Sequence, residues 1–249
     1  MLDRVPVRAG QTILDVGAGS GFLSIELAQR CGPGTRVIAV DPWAPVERRL
    51  RRRLAHLGLD GVEVVERDAA QLDLPDASVD LIVSNLGINN FENADAVLRN
   101  CHRMAKPGAR LFLTTNLSGH MHEFYDVLRA TLIALGQEDR LPALDEHIAH
   151  RGTFDSVSER IAAAGFTPQN SVRGGFRMRF ADGTALLRHS FIRMGFLPAW
   201  QSIFRPESLD ASLSRLEADL NAAARATASA GQPGELALTI PIACFEGRK

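Results

Sequence analysis

The stretch Ile13-Leu14-Asp15-Val16-Gly17-Ala18-Gly19-Ser20-Gly21 decides how this chain is read. An apolar run reaches Asp15, then breaks into glycines at every second position. The segment that follows at once, FLSIELAQR from Phe22 to Arg30, has helical period. A strand that turns through glycines straight into a helix lets the backbone approach a ligand closely. It also presents the helix's free N–H groups and positive dipole end, which suit a carboxylate or a phosphate. The spacing is D-x-G-x-G-x-G. In the dinucleotide fingerprint G-x-G-x-x-G, counted from Gly17 and Gly19, the third glycine falls on Phe22.

Working outward, apolar runs of strand length alternate with helical stretches as far as residue 136. The strand candidates are Thr12–Gly17, Arg36–Asp41, Val62–Asp68, Val79–Leu86 and Arg110–Asn116. Strands this rich in Val, Ile and Leu are covered on both faces, so the alternation predicts an α/β fold, a doubly wound, Rossmann-like parallel sheet. Helices are expected with Val46, Leu50, Leu54 and Leu57 on one face, with Ala94, Val97, Leu98, Cys101, Met104 and Ala105 on another, and with Phe124, Val127, Leu128, Thr131 and Leu135 turned inward. Ser156-x-x-Glu159 reads as a capping box and Gly165 as the stop of the helix behind it. Ser171–Phe180 is expected as a strand, Ala185–Met194 and Leu209–Ala228 as helices. The closing segment is expected as a strand with a bulge or an unpaired position at Pro241.

The chain has 249 residues and a net charge of −1, which fits one domain over 1–249 with no field to draw in nucleic acid or anionic lipid. Cys31, Cys101 and Cys244 are odd in number and without a C-x-x-C pair, against a disulfide framework or a zinc site. No signal peptide or membrane span is read, so a cytoplasmic protein is expected. His147-x-x-His150 beside Glu146 lacks the H-E-x-x-H spacing of a metal site.

Taken together, Asp15, Gly17, Gly19 and Gly21, the strand RVIAVD ending in Asp41, the strand VEVVERDA ending in Asp68, and LDLPDASVDLIVSN resemble the class I S-adenosylmethionine-dependent methyltransferases, the type 11 and ubiquinone-biosynthesis-like group. The resemblance covers about residues 10–116. It implies a seven-stranded sheet whose last strand is antiparallel, with S-adenosylmethionine across the carboxyl ends of the first three strands. It also implies that Asp41 grips both ribose hydroxyls and that Pro42 and Trp43 flank the adenine. Asp68 would accept from the adenine amino group, the Ala69 N–H would donate to the ring, and Ser84 and Asn85 would lie near the transferred methyl. Ser84-Asn85 and Thr115-Asn116 stand where magnesium-dependent relatives carry carboxylates, so metal-independent transfer is expected. SNLGIN also departs from the N-P-P-aromatic signature of amide and amino-group methyltransferases.

A small-molecule acceptor is the expected substrate, methylated on oxygen or carbon and able to carry a carboxylate. The chain begins a few residues before its first strand, so the half 117–249 is expected to supply the acceptor pocket and lid, from Leu117–Arg151 and an insertion at about 185–230. His120, His122 and Tyr125 are candidates for a general base. Arg173, Arg177 and Arg179 alternate along one strand face and are candidates for an anion clamp. Two other readings stand beside this one. A nicotinamide-dependent dehydrogenase calls for the longer glycine spacing, and a non-catalytic methyltransferase-like subunit usually lacks the cofactor residues that this chain keeps.

Overall fold

In the computed structural model, which describes residues 1–229 and 231–249 and all side chains among them except those of Val46 and Glu47, β1 (Thr12–Val16) is buried from Ile13 onward. It is the centre of the parallel half of the sheet. The helix α1 (Phe22–Cys31) follows, then β2 (Arg36–Val40), α2 (Ala44–Leu57), β3 (Val62–Val65), β4 (Val79–Asn85), α3 (Ala94–Met104) and β5 (Ala105–Asn116). Next come α4 (His122–Ala134), α5 (Leu141–Ala149), α6 (Phe154–Ala163), β6 (Thr167–Pro168) and β7 (Val172–Phe180). Three short helices, α7 (Gly183–Arg188), α8 (Ser190–Gly195) and α9 (Leu197–Gln201), precede α10 (Leu209–Ala226) and β8 (Leu236–Arg248).

The strand order is β3-β2-β1-β4-β5-β8-β6, with β7 paired to β8. The first five strands are parallel, and β8 runs antiparallel to β5, from Arg110 opposite Arg248 to Asn116 opposite Ile242. The order reverses on either side of β1, where β2 lies on one flank and β4 on the other. That switch point is where open α/β sheets take ligands, outside the carboxyl ends of the strands.

Eight strands replace the seven expected, because the two-residue β6 is too short to leave an apolar run. Ala105, expected on the helix, instead begins β5, because Pro107 and Gly108 cannot continue a helix, and the register slips between Val79 and Leu81 of β4. The helix expected over Ala185–Met194 is broken at His189, whose extended backbone separates α7 from α8. Pro241 falls one residue outside the ladder with β5; its carbonyl accepts from Leu117 N–H, and lacking an N–H it returns no bond.

Leu50 and Leu54 are buried on α2 as expected, whereas Leu57, the helix's last residue, is 43% exposed and Leu59 packs inward in its place. The side chain of Val46 and the end of the expected insertion at Ala230 lie outside the described residues. Thr153, not Ser156, caps α6: its hydroxyl accepts from the Ser156 N–H at 3.1 Å, so the helix begins a turn earlier than the capping-box pattern suggests.

The chain divides into two compact units. The first comprises Met1–Asn116, Thr153–Gly174 and Ile242–Lys249, with a core of Ile13, Leu27, Val37, Leu81, Phe112 and neighbours. The second comprises Leu117–Gly152 and Gly175–Pro241. Its core is built on Phe124, Leu128, Leu132, Trp200, Leu216 and Leu220, with Leu209 and Leu213 of α10 packed against it. Among the described residues no helix is long and apolar enough to cross a membrane.

Candidate functional site

The three glycines of the first turn all have positive φ, but space sorts them into different roles. A Cβ at Gly17 would press on the Phe91 ring at 3.2 Å and on the Gly87 backbone at 3.3 Å; one at Gly21 would lie 2.0 Å from Leu50 Cδ1. Both are therefore packing glycines. A Cβ at Gly19 would meet nothing within 4 Å, so the turn's open face is at Gly19. The N–H groups of Gly17 and Ala18 donate to Val40 O at 2.9 and 3.0 Å, which holds the turn against the end of β2.

Asp15 lies under this turn, 1% exposed, and accepts from Ser24 Oγ at 2.5 Å. Burial pushes its carboxyl up to about 7; the Ser24 hydroxyl and N–H work against that rise, and the nearby Asp41 charge adds to it. It joins β1 to the first turn of α1. Asp41 follows β2 directly. One carboxylate oxygen accepts from Gly19 N–H and the other from Trp43 N–H, both at 3.0 Å. Each oxygen keeps a second lone pair for another donor. Pro42 is exposed, as is Trp43 at 57%.

Asp68 lies three residues beyond the end of β3, not at its last position. There it caps the short 3-10 turn Ala69–Gln71, accepting from Ala70 N–H at 2.8 Å, while Ala69 is buried. At the end of β4, Ser84 is buried and donates to Val16 O at 2.8 Å, tying β4 to the mouth of the glycine turn. The exposed Asn85 accepts from Thr114 Oγ1 at 2.6 Å. The first unit thus gathers Asp15, Gly17, Gly19, Gly21, Asp41, Trp43 and Asn85 around the ends of β1, β2 and β4.

His120, His122 and Tyr125 belong to the second unit. His122 is exposed, 3.4 Å from the Glu123 carboxylate and 3.9 Å from that of Asp126. Tyr125 is buried, and its hydroxyl lies 3.1 Å from His147 Nε2. His120 is 4% exposed; burial first, then the Arg151 charge and His147, push its pKa down to about 3. The three arginines of β7 are exposed and all engaged. Arg173 pairs with Asp155 at 3.2 Å, Arg177 with Glu123 at 3.6 Å, and Arg179 makes a bidentate pair with Glu235. Among the described residues no group of three His, Cys, Asp or Glu could hold a metal ion.

Residues 14–113 match the family model described as a methyltransferase domain. Among characterised proteins, the ubiquinone/menaquinone biosynthesis C-methyltransferase UbiE of Escherichia coli O1:K1 is 34% identical over 113 residues, 45% of this chain and 45% of that protein. Over that stretch of the first unit the chain is similar to methyltransferase domains in sequence. The chain spans about half the length of the curated relatives it matches. The fold agrees: a SAM-dependent methyltransferase from Aquifex aeolicus superposes with a TM-score of 0.54 at 22% identity, over 69% of this chain and 80% of that one. The YcgJ protein from Bacillus subtilis gives 0.66 at 16% identity, over 100% and 96%.

In this first unit, three residues around the turn and the end of β4 escape sequence reading. Ser24 holds Asp15, Phe91 walls Gly17, and Leu86 adopts a left-handed φ of 62° while donating its N–H to Thr114 O at 3.0 Å. A leucine carries no signal for that conformation. Ser24 could have been found, since it stands at the third position of a helix that follows a strand acid by a fixed turn.

Proposed function

We propose that this chain transfers the methyl group of S-adenosylmethionine to an oxygen or carbon atom of a small, carboxylate-bearing molecule, in the cytoplasm and without a metal ion. The observation that carries the reading is the pairing of the Asp41 carboxylate with the Gly19 N–H at the open face of the turn. An acidic group with spare lone pairs there suits a vicinal diol, and the uncrowded glycine backbone suits a ligand passing close by. The name of the Escherichia coli relative, a C-methyltransferase, favours carbon. All three cysteines are buried and unbridged, which favours a reducing compartment.

In this reading Asp41 takes the ribose hydroxyls, Pro42 and Trp43 flank the adenine, and Asp68 and the Ala69 N–H meet its polar edge. Asp15, Gly17 and Gly21 hold the turn in shape from beneath, and Asn85 lies toward the reacting end. Bound there, S-adenosylmethionine supplies an electrophilic sulfonium methyl. The protein's own contribution is then to hold an acceptor in line and to exclude water, a gain drawn from proximity. Where the acceptor must lose a proton, the depressed pKa of His120 makes it a poor base at neutral pH and leaves His122 and Tyr125. Arg173, Arg177 and Arg179 would have to leave Asp155, Glu123 and Glu235 to serve as a clamp.

Calorimetric titration with S-adenosylmethionine, S-adenosylhomocysteine and NAD, beside an Asp41→Ala variant of checked fold, tests the proposal. Micromolar binding of both sulfur ligands is expected, weakened about tenfold or more in the variant by the loss of charge-assisted hydrogen bonds. Binding of NAD alone would move the chain to the dehydrogenases, and binding of none would leave a non-catalytic subunit.

A further inference from the structure

The second unit holds a polar cluster, buried at His120 and Tyr125 and half-buried at His147 and Arg151, whose hydrogen-bonding capacity the fold does not exhaust. His120 precedes α4, Tyr125 lies on α4, His147 on α5, and Arg151 just beyond α5. Two buried atoms in it, His120 Nδ1 and Arg151 Nε, have no hydrogen-bond partner among the described residues. Nearly all buried polar groups in folded proteins are paired, so two orphans from neighbouring side chains mark a place where a ligand atom is expected.

The hydrogen bonds around the cluster fix what it offers. Trp200 Nε1 donates to the Tyr125 oxygen at 3.4 Å, and the phenolic proton of the buried Tyr125 then has His147 Nε2, 3.1 Å away, as its acceptor. That leaves the His147 proton on Nδ1, as a donor. Burial and the Arg151 charge depress the pKa of both His120 and His147, so both rings are neutral at neutral pH. The cluster's charge is that of Arg151 alone. Arg129 of the neighbouring helix is spent on Asp145, but Arg151 has no carboxylate partner among the described residues. One fixed positive charge beside neutral imidazole donors matches a monoanion; a phosphate dianion would leave a net negative charge in a half-buried place. The wall is flat and aromatic: the Phe196 ring stacks on His120 with centroids 5.8 Å apart and planes 12° apart, and it touches Trp200 at 5.6 Å.

We propose that His120, His147 and Arg151 form a receptor for a carboxylate, with Phe196 against its planar body, so that the second unit binds an aromatic or conjugated carboxylic acid. The inference stands on the second unit alone and does not depend on the methyl-transfer reading. His120 is in this account a binding residue and not the base.

The test is a titration of the full chain with benzoate, benzamide and inorganic phosphate, with and without S-adenosylhomocysteine, read by tryptophan fluorescence and by the histidine ring nitrogen shifts. Benzoate is expected to bind and to shift the His120 ring, while its uncharged amide and phosphate bind at least tenfold more weakly. Arg151→Gln should weaken benzoate about tenfold to a hundredfold, with partial recovery in Arg151→Lys, while the affinity for S-adenosylhomocysteine stays unchanged in both. Equal binding of benzoate and benzamide, an Arg151→Gln variant that binds benzoate like the wild type, or no benzoate binding at about 10 mM overturns the proposal. Failure to bind S-adenosylhomocysteine refutes the methyl-transfer reading instead, and the titrations without it still report on the cluster.

Discussion

Replacing Gly21 by alanine puts a methyl carbon 2.0 Å from Leu50 Cδ1 and 2.9 Å from Cδ2, at a residue whose φ is 76°. Two costs add. A left-handed backbone costs a residue with a Cβ about 1–2 kcal/mol, and overpacking a filled core costs about 1–3 kcal/mol, because Leu50 is 1% exposed and has little room to turn away. The sum, about 2–5 kcal/mol, corresponds to a fall of roughly 4–20 °C in the melting of a unit of this size. Gly19→Ala is the control. Its φ of 53° carries the backbone cost, but its Cβ enters open space, so its stability loss stays near 1–2 kcal/mol. Its larger effect falls on cofactor affinity. Urea unfolding of the cofactor-free protein gives the stabilities, and a cycle with Leu50→Ala isolates the clash: the double variant should recover about 1–3 kcal/mol relative to additivity. If Gly21→Ala and Gly19→Ala are equally stable, or if Gly21→Ala and Leu50→Ala add without coupling, the division of the turn into packing and ligand-facing glycines is wrong.

Two buried groups act on stability in opposite directions over one pH range. Asp15 has a folded pKa raised to about 7, so the unfolded chain binds fewer protons and the Asp15 contribution to stability falls as pH rises from about 4 to about 7. The gain of Asp15→Asn over the wild type should therefore grow across that range and level off above it, by thermal melts at matched ionic strength. His120, depressed to about 3, does the reverse: its contribution is present above the unfolded pKa near 6.5 and is lost as pH falls toward 3. The wild type's advantage over His120→Gln should shrink as the solution is acidified, and a constant difference would contradict the neutral buried ring. At the α6 cap, Thr153→Ala should cost about 1 kcal/mol in urea unfolding and Ser156→Ala within about 0.5 kcal/mol, and the opposite ranking would restore the capping-box reading.

What could be read in advance followed from short-range pattern. The five parallel strands showed because strands covered on both faces need unbroken runs of Val, Ile and Leu, and Asp41 stood out because it follows one of those runs directly. Roles were less legible than positions. The D-x-G-x-G-x-G spacing does not say that Gly21 makes way for Leu50, twenty-nine residues on, or that Asp15 is buried against Ser24 rather than presented at the edge. The arginines of β7 stood out by their alternation, yet carboxylates distant in sequence neutralise them. The cluster of His120, Tyr125, His147 and Arg151 was half visible. Its two histidines had been singled out for other chemistry, but Arg151 and the Phe196 wall join them through tertiary packing that no periodicity records.

The strand β5 is made early, yet its partner on the far side, Ile242–Arg248 of β8, is synthesised more than a hundred residues later. At roughly 5–20 residues per second, on the order of ten seconds pass between the two. For that interval a long, apolar strand edge, Leu111-Phe112-Leu113, stands with its N–H and C=O groups open to any passing strand. The nascent chain is thus most vulnerable to aggregation once the five parallel strands have emerged, and the stretch Ile242–Arg248 acts as a latch that retires the edge.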